Sequence, residues 1–193
     1  MSLHTLAQKG GDAMVIFGTS CTNARRRAYD LLSIAVQTEW GLSQLPPIAR
    51  RPGGKPYFPH HPELEFNLSH SGELILCALD LAPVGIDIQM VKAMRPGLPA
   101  RVCSPPEQRW LEEQPDFWKG FAQLWALKEA HVKYTGTGLT RSISGISIPL
   151  LSSGQTHSIL EDLHFQVYPG EGWMGACCGT HAPPNQITWV TLP

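Results

Sequence analysis

Apolar positions recur along this chain with two different spacings. Ala28, Leu31, Leu32, Ala35, Val36 and Trp40 follow the i, i+3, i+4 rule, which predicts a helix beginning near Asn23. Leu64, Phe66 and Leu68 alternate with polar residues, as one buried face of a strand does, and that strand runs into the polar turn Ser69-His70-Ser71-Gly72. An apolar run over 74–79, the turn signal Ala82-Pro83 and the alternating Val84-Gly85-Ile86-Asp87-Ile88-Gln89 then read as strand, turn and strand. Helical signals return at Ser104-Pro105-Pro106-Glu107, a capping box with proline just inside, opening a short helix to about Glu113. Asp116 can cap a longer helix ending near Lys133-Tyr134-Thr135-Gly136, with Gly136 as its C-cap and Gly138 in the loop beyond. This Gly-x-Gly is a helix stop, with no nucleotide fingerprint in it.

Two charged residues disturb that long helix. At about 100° per residue, Trp118, Phe121, Trp125 and Val132 share a narrow arc. Glu129 lies between Trp118 and Ala122 on the same wheel, and Lys128 sits just past the other border. Desolvating a carboxylate costs several kcal/mol unless a cation or metal compensates. The plain alternative is a Glu129–Lys133 pair at i,i+4 on a solvated face. Asp87 poses the same question, because aspartate suits a strand interior poorly. It shares one strand face with Gln89, while Ile86 and Ile88 face the other way. Two carboxylates from separate elements can converge on a hard cation such as Mg²⁺; a half-exposed strand with a solvated Asp is the other reading. Ser69, His70 and free backbone N–H groups at a strand end can hold phosphate oxygens, or form an ordinary turn. Arg25-Arg26-Arg27 crowd the positive end of the first helix, where cations are disfavoured; a phosphate ligand or a solvated basic cluster would account for them.

Composition narrows the class. With 193 residues the chain makes one domain or two small ones. Net charge is −1, so the surface as a whole gives no argument for nucleic acid, although residues 24–56 hold six basic and two acidic side chains. No run approaches 18 apolar residues and no signal peptide is visible at the start, so no membrane association is expected. Five cysteines without a C-x-x-C pair favour reduced thiols in the cytoplasm, with Cys77 and Cys177 as small core residues. A faint repeat links 74–88 with 173–190: apolar strand with cysteine, Ala-Pro, strand. It suggests halves 1–83 and 84–193 with a ligand cleft between them.

Four blocks in order carry a resemblance: Gly54-Lys55-Pro56-Tyr57, Phe66-Asn67-Leu68-Ser69-His70-Ser71, Gly85-Ile86-Asp87-Ile88 and Trp125-Ala126-Leu127-Lys128-Glu129-Ala130. The chain from about residue 24 resembles the 4′-phosphopantetheinyl transferase family, in its longer single-chain type. The resemblance implies a monomeric α+β fold built as a pseudo-twofold pair of similar halves. It also implies transfer of the phosphopantetheine arm of coenzyme A to a serine of an apo acyl or peptidyl carrier protein, with Mg²⁺ as cofactor and adenosine 3′,5′-bisphosphate as leaving group. That is an activity of the holo-[acyl-carrier-protein] synthase type. By matching position, Asp87 and Glu129 would bind the metal, and Glu129 would take the serine proton directly or through water. Lys128 and Lys133 would lie near the pyrophosphate, and Lys128 would stabilise the departing bisphosphate. Ser69 and His70 would contact coenzyme A phosphates, Arg51 and Lys55 would lie near the nucleotide, and Arg26 is closest to a family arginine that reaches coenzyme A. Many members carry glutamate where this chain has Gln89; an amide brings no charge, so Gln89 is expected to be a weak metal ligand or to hold a metal-bound water. Carrier proteins of this class are typically acidic, so the local basic excess fits docking, or serves coenzyme A alone. Two rival classes make different predictions. A metal-dependent coenzyme A pyrophosphatase would turn coenzyme A over without a carrier protein. A non-catalytic module would bind without transfer and be indifferent to Glu129→Gln.

Overall fold

The structure is a computed structural model that describes residues 13–138 and 142–193; the uninformative first dozen residues lie outside them. The first sheet has the order β10-β1-β5-β4, with β1 Val15–Ser20, β4 Glu65–Ser71, β5 Leu74–Asp80 and β10 Thr188–Trp189. The second runs β6-β9-β8-β7, with β6 Val84–Met90, β7 His157–Leu160, β8 Leu163–Gly170 and β9 Trp173–Gly179. A short ribbon of β2 Ala49–Arg50 and β3 Pro56–Tyr57 precedes β4. The helices are α1 Ala24–Trp40, α2 Leu98–Val102, α3 Pro105–Glu112 and α4 Phe117–Thr135.

The same motif occurs twice. β1, α1, β4 and β5 form strand, helix, antiparallel hairpin, with the last strand inserted between the first two. β6, α4, β8 and β9 repeat this order. The fold is therefore α+β with a pseudo-twofold pair of similar halves. The repeat unit is longer than the strand-turn-strand echo heard in the sequence, because each copy includes a helix. β10 returns to pair in parallel with β1, so the last stretch of chain completes the first sheet.

Burial follows from the face patterns. One face of the first sheet (Phe66, Ile75, Cys77, Leu79) packs on Leu31, Leu32, Ala35 and Val36 of α1, as the helical spacing predicts. Its other face (Ile16, Leu76, Ala78) meets Ile86, Ile88 and Cys177 of the second sheet. The outer face of the second sheet (Phe165, Val167, Ala176, Cys178) is covered by α4. The result is four layers: helix, sheet, sheet, helix. Asp116 caps α4 by accepting from Lys119 N–H at 3.0 Å, Gly136 closes it at φ 67°, and Ser104 and Glu107 form the expected capping box on α3.

Two expectations change. β4 does not turn at Ser69: it continues to Ser71, pairing Ser69 with Leu76 and Ser71 with Leu74, and the turn falls on Gly72-Glu73. On α4, the fully buried charge is Lys128, at 0 % exposure, while Glu129 is only partly buried. The aromatic arc misplaced the buried stripe because Trp118 and Trp125 sit at the rim, partly exposed, and the small residues Ala126 and Ala130 face the sheet.

Candidate active site

Gly85 decides how closely α4 approaches β6. A Cβ there would collide with the Ala130 carbonyl oxygen and the Tyr134 amide. Glycine at this point of the strand lets helix backbone lie directly on sheet backbone, and so brings α4 against the neighbouring Asp87. The Glu129 carboxyl is held above its ordinary range by burial first and by the Asp87 charge second, with Lys133 opposing both. Asp87, Glu129 and Lys133 thus act on one another across the β6–α4 seam.

Asp87 is 4 % exposed, and its carboxylate is held from three sides. Oδ1 accepts from Ser69 Oγ at 2.7 Å and from Lys133 Nζ at 2.7 Å. Oδ2 accepts from Gln89 Nε2 at 2.6 Å. Lys133 Nζ also donates to the Ile86 carbonyl at 3.0 Å, which commits two of its three N–H groups. Beside them stands His70, exposed at the end of β4. Partial burial holds its imidazole below the usual histidine range, with further depression from Arg25 and Lys133 and an opposing pull from Asp87. Lys133 on Asp87, and His70 with Arg25 acting on it, thus make the surroundings of Asp87 basic. A hollow of about 220 Å³ opens next to it, lined by Gly53, Gly54, Lys55, Asn67, Lys133 and Gly136. A larger hollow of about 520 Å³ lies around Lys119 and Gln123 near the start of α4. Six to ten residues of helix put it roughly 9–15 Å along the axis from Glu129, so its size does not make it the site.

Several residues singled out in the sequence are placed elsewhere or differently engaged. Lys128 is turned away: its ammonium donates to Glu107 Oε2 at 2.9 Å and to the Ile143 and Ile146 carbonyls at 2.9 and 3.0 Å. All three donors are spent inside the protein, so it has none for a bisphosphate. The Lys55 ammonium donates to the Val84 and Tyr134 carbonyls at 3.0 and 3.3 Å and lies 3.6 Å from Glu65 Oε2. Burial pushes its pKa down, and Glu65 opposes that shift. Lys55 lines the hollow, but its charge ties the loop to both halves. Arg51 binds Glu65 Oε1 at 2.9 Å and lies 4.9 Å above the Tyr57 ring centroid. Ser69 is 6 % exposed and spends its hydroxyl on Asp87. Arg26 is exposed, and it is its neighbour Arg25 that acts on His70; Arg27 turns to Asp30 and the Pro193 carbonyl.

Sequence reasoning missed Gly85, Asn67, Ser71, Glu65 and Glu107 as supports. One signal was available for two of them: Asn67, Ser69 and Ser71 are small polar acceptors at i, i+2, i+4 on a strand that buries both faces.

Among the described residues no three His, Cys, Asp or Glu side chains close around a metal. The donor set nonetheless fits a hard cation. The Asp87 charge raises the cost of ionising Glu129, and Asp87 Oδ2 keeps a lone pair beside an amide whose carbonyl can also serve as an oxygen ligand. Asp87, Glu129 and Gln89 are the residues that could hold it. No helix among the described residues is long and apolar enough to cross a membrane.

The chain is similar to known proteins of one family. The family profile described as the 4′-phosphopantetheinyl transferase superfamily matches residues 83–176, which carry Asp87, Gln89, Glu129 and Lys133. The chain is 35% identical over 149 residues to 4′-phosphopantetheinyl transferase Sfp of Bacillus subtilis (strain 168), covering 72% of this chain and 65% of that protein. A second Bacillus subtilis 4′-phosphopantetheinyl transferase is 38% identical over 116 residues, 58% of this chain and 50% of its own. The 4′-phosphopantetheinyl transferase AcpT of Escherichia coli O157:H7 is 35% identical over 135 residues, 65% of this chain and 67% of its own. The chain thus spans between half and two thirds of the length of these relatives. On the profile match and these identities, it belongs to the 4′-phosphopantetheinyl transferase superfamily.

Proposed function

We propose that this chain transfers the 4′-phosphopantetheine arm of coenzyme A to a serine of an apo acyl or peptidyl carrier protein. The observation that carries the reading is the pairing of two acids, Asp87 and a Glu129 whose carboxyl Asp87 helps to raise, beside Lys133 and a His70 on which Arg25 also acts. Acids alone would bind a cation, and basic groups alone would bind an anion. Together they suit a metal-bound pyrophosphate.

The reaction joins the carrier serine oxygen to the phosphorus that bears the pantetheine. It breaks that phosphorus–oxygen bond of the pyrophosphate, and adenosine 3′,5′-bisphosphate departs. Glu129 receives the serine proton, directly or through one water; its raised pKa suits a base that must hold a proton briefly. Lys133 has one donor left for a phosphate oxygen. Arg25 and His70 hold a second phosphate at the positive end of α1. The hollow beside Gly53, Gly54 and Lys55 receives the nucleoside end. Asp87 and Glu129, with Gln89 as a neutral third donor, would hold Mg²⁺, which would supply charge neutralisation at the pyrophosphate. In this reading the halves 1–83 and 84–193 flank the cleft, and the protein works as a cytoplasmic monomer.

The test is direct. The purified protein, coenzyme A, Mg²⁺ and a panel of apo carrier proteins are combined, and each carrier is weighed by intact mass spectrometry. A gain of one phosphopantetheine, lost with EDTA and with Glu129→Gln, is the expected result. Coenzyme A turnover that needs no carrier protein would instead mark a pyrophosphatase.

A further inference from the structure

β6 is an edge strand of the second sheet, and its free edge is buried against β4. Burying an edge leaves N–H and C=O groups that must find partners. Here the partners are side chains. Ile86 N–H donates to Asn67 Oδ1 at 3.0 Å, Ile88 N–H to Ser69 Oγ at 3.3 Å and Met90 N–H to Ser71 Oγ at 3.3 Å. On the same edge, the Val84 and Ile86 carbonyls accept from Lys55 and Lys133 at 3.0 Å each. A row of side chains thus replaces a strand ladder where the two halves meet.

Ser69 differs from its neighbours in the row. It accepts from Ile88 N–H and donates to Asp87 Oδ1 at 2.7 Å, so its hydroxyl proton has one direction to point. Lys133 behaves alike, bonding both the Ile86 carbonyl and the same Oδ1. Two side chains anchored to the main chain on either side of Asp87 therefore fill both lone pairs of Oδ1. Oδ2, with only Gln89 upon it, is the oxygen left to face the cleft.

We propose that Ser69 is a positioning residue that fixes the rotamer of Asp87 and presents Oδ2, not Oδ1, to a divalent cation. The inference rests on the reading of Asp87 as a cation ligand. It gives Ser69 a role through Asp87 in place of direct contact with phosphate.

Mn²⁺ is the probe, its free concentration read by electron paramagnetic resonance in the presence of coenzyme A. Ser69→Ala, Ser71→Ala and Ser69→Thr are compared with the wild type, each with its urea midpoint. Ser71→Ala removes an equivalent bond of the row without touching Asp87. Both alanine variants lose stability, but Ser69→Ala weakens Mn²⁺ binding by about 10–100-fold, as removal of an orienting partner does, whereas Ser71→Ala stays within about twofold. Ser69→Thr, which keeps the hydroxyl, retains the affinity. Undiminished binding in Ser69→Ala, an equal loss in Ser71→Ala, or an equal loss in folded Ser69→Thr would each overturn the proposal. A wild type that takes up no Mn²⁺ overturns the cation reading itself. A wild type that binds Mn²⁺ yet modifies no carrier overturns the transfer reaction while leaving the role of Ser69 to be decided by the same titrations.

Discussion

Lys128 Nζ lies 2.9 Å from Glu107 Oε2, with the two side chains 0% and 5% exposed. The pair joins α4 to the first turn of α3, where the same Glu107 oxygen accepts Ser104 N–H at 2.6 Å. Removing one partner of such a pair strands a buried charge. Glu107→Leu and Lys128→Met alone should each cost about 3–5 kcal/mol, and the double variant clearly less than either. Urea unfolding of the four proteins measures this. The folded double variant should still modify carriers, because Lys128 has no donor to offer the substrate; its complete inactivity at full folding would return Lys128 to the chemistry.

Glu129 combines function with a stability cost. Its carboxyl is raised by burial and by Asp87, so the folded chain holds that proton more tightly than the unfolded one. Below about pH 4 both forms are protonated and the residue is neutral to stability. As pH rises through the unfolded value, stability falls, and the loss is complete once the folded carboxyl ionises. Glu129→Gln cannot ionise. In EDTA it should melt with the wild type at pH 3.5 and above it at pH 8, while transfer measured with Mg²⁺ falls by at least about 100-fold. Thermal melts across that range check it, and a pH-independent difference would show that ionisation is not the cause.

Much of this was legible in the sequence where one local rule governed. The stripe Ala28 to Trp40, the Ser104–Glu107 box and the Gly136 stop each depend on neighbours within a few residues, and each lies where its spacing predicts. Asp87 and Glu129 could be picked out because each breaks its element's pattern. What was not legible depends on partners far along the chain. Lys128 is closed off by Glu107 and by carbonyls of 143–146, and Lys55 by Val84, Tyr134 and Glu65. A lysine looks the same in a sequence whether it meets a phosphate or a buried carbonyl. Ser69 and Ser71 looked like turn residues because the burial of β6's edge, which they serve, is a tertiary event.

Arg25 and Arg26 are adjacent, yet α1 turns them to different surroundings. Both are exposed, and it is Arg25 that acts on His70, on which Asp87 and Lys133 act as well. A charge-assisted hydrogen bond to phosphate is worth about 1.5–3 kcal/mol. Arg25→Ala should therefore raise the coenzyme A KM by about 10–100-fold with little change in kcat, and Arg26→Ala by no more than about twofold. Steady-state kinetics at fixed carrier concentration separate the two. The reverse order would move the phosphate contact to Arg26.

Gly85 offers the sharpest test of how the seam between β6 and α4 builds the site. Its hypothetical Cβ would strike helix backbone, the Ala130 carbonyl and the Tyr134 amide, and backbone cannot rotate away as a side chain tip can. Gly85→Ala must push α4 off β6, carrying Glu129 and Lys133 away from Asp87. Overpacking of this kind costs about 1–3 kcal/mol. Gly145→Ala, with nothing within 4 Å of its Cβ, should stay within about 0.5 kcal/mol of wild type. If close approach sets the site, Gly85→Ala loses Mn²⁺ affinity and transfer together, even at temperatures where it is fully folded, while Gly145→Ala keeps both. A folded Gly85→Ala protein with wild-type Mn²⁺ affinity would mean that Asp87 and Glu129 find the ion without the tight seam, and that Gly85 serves packing alone.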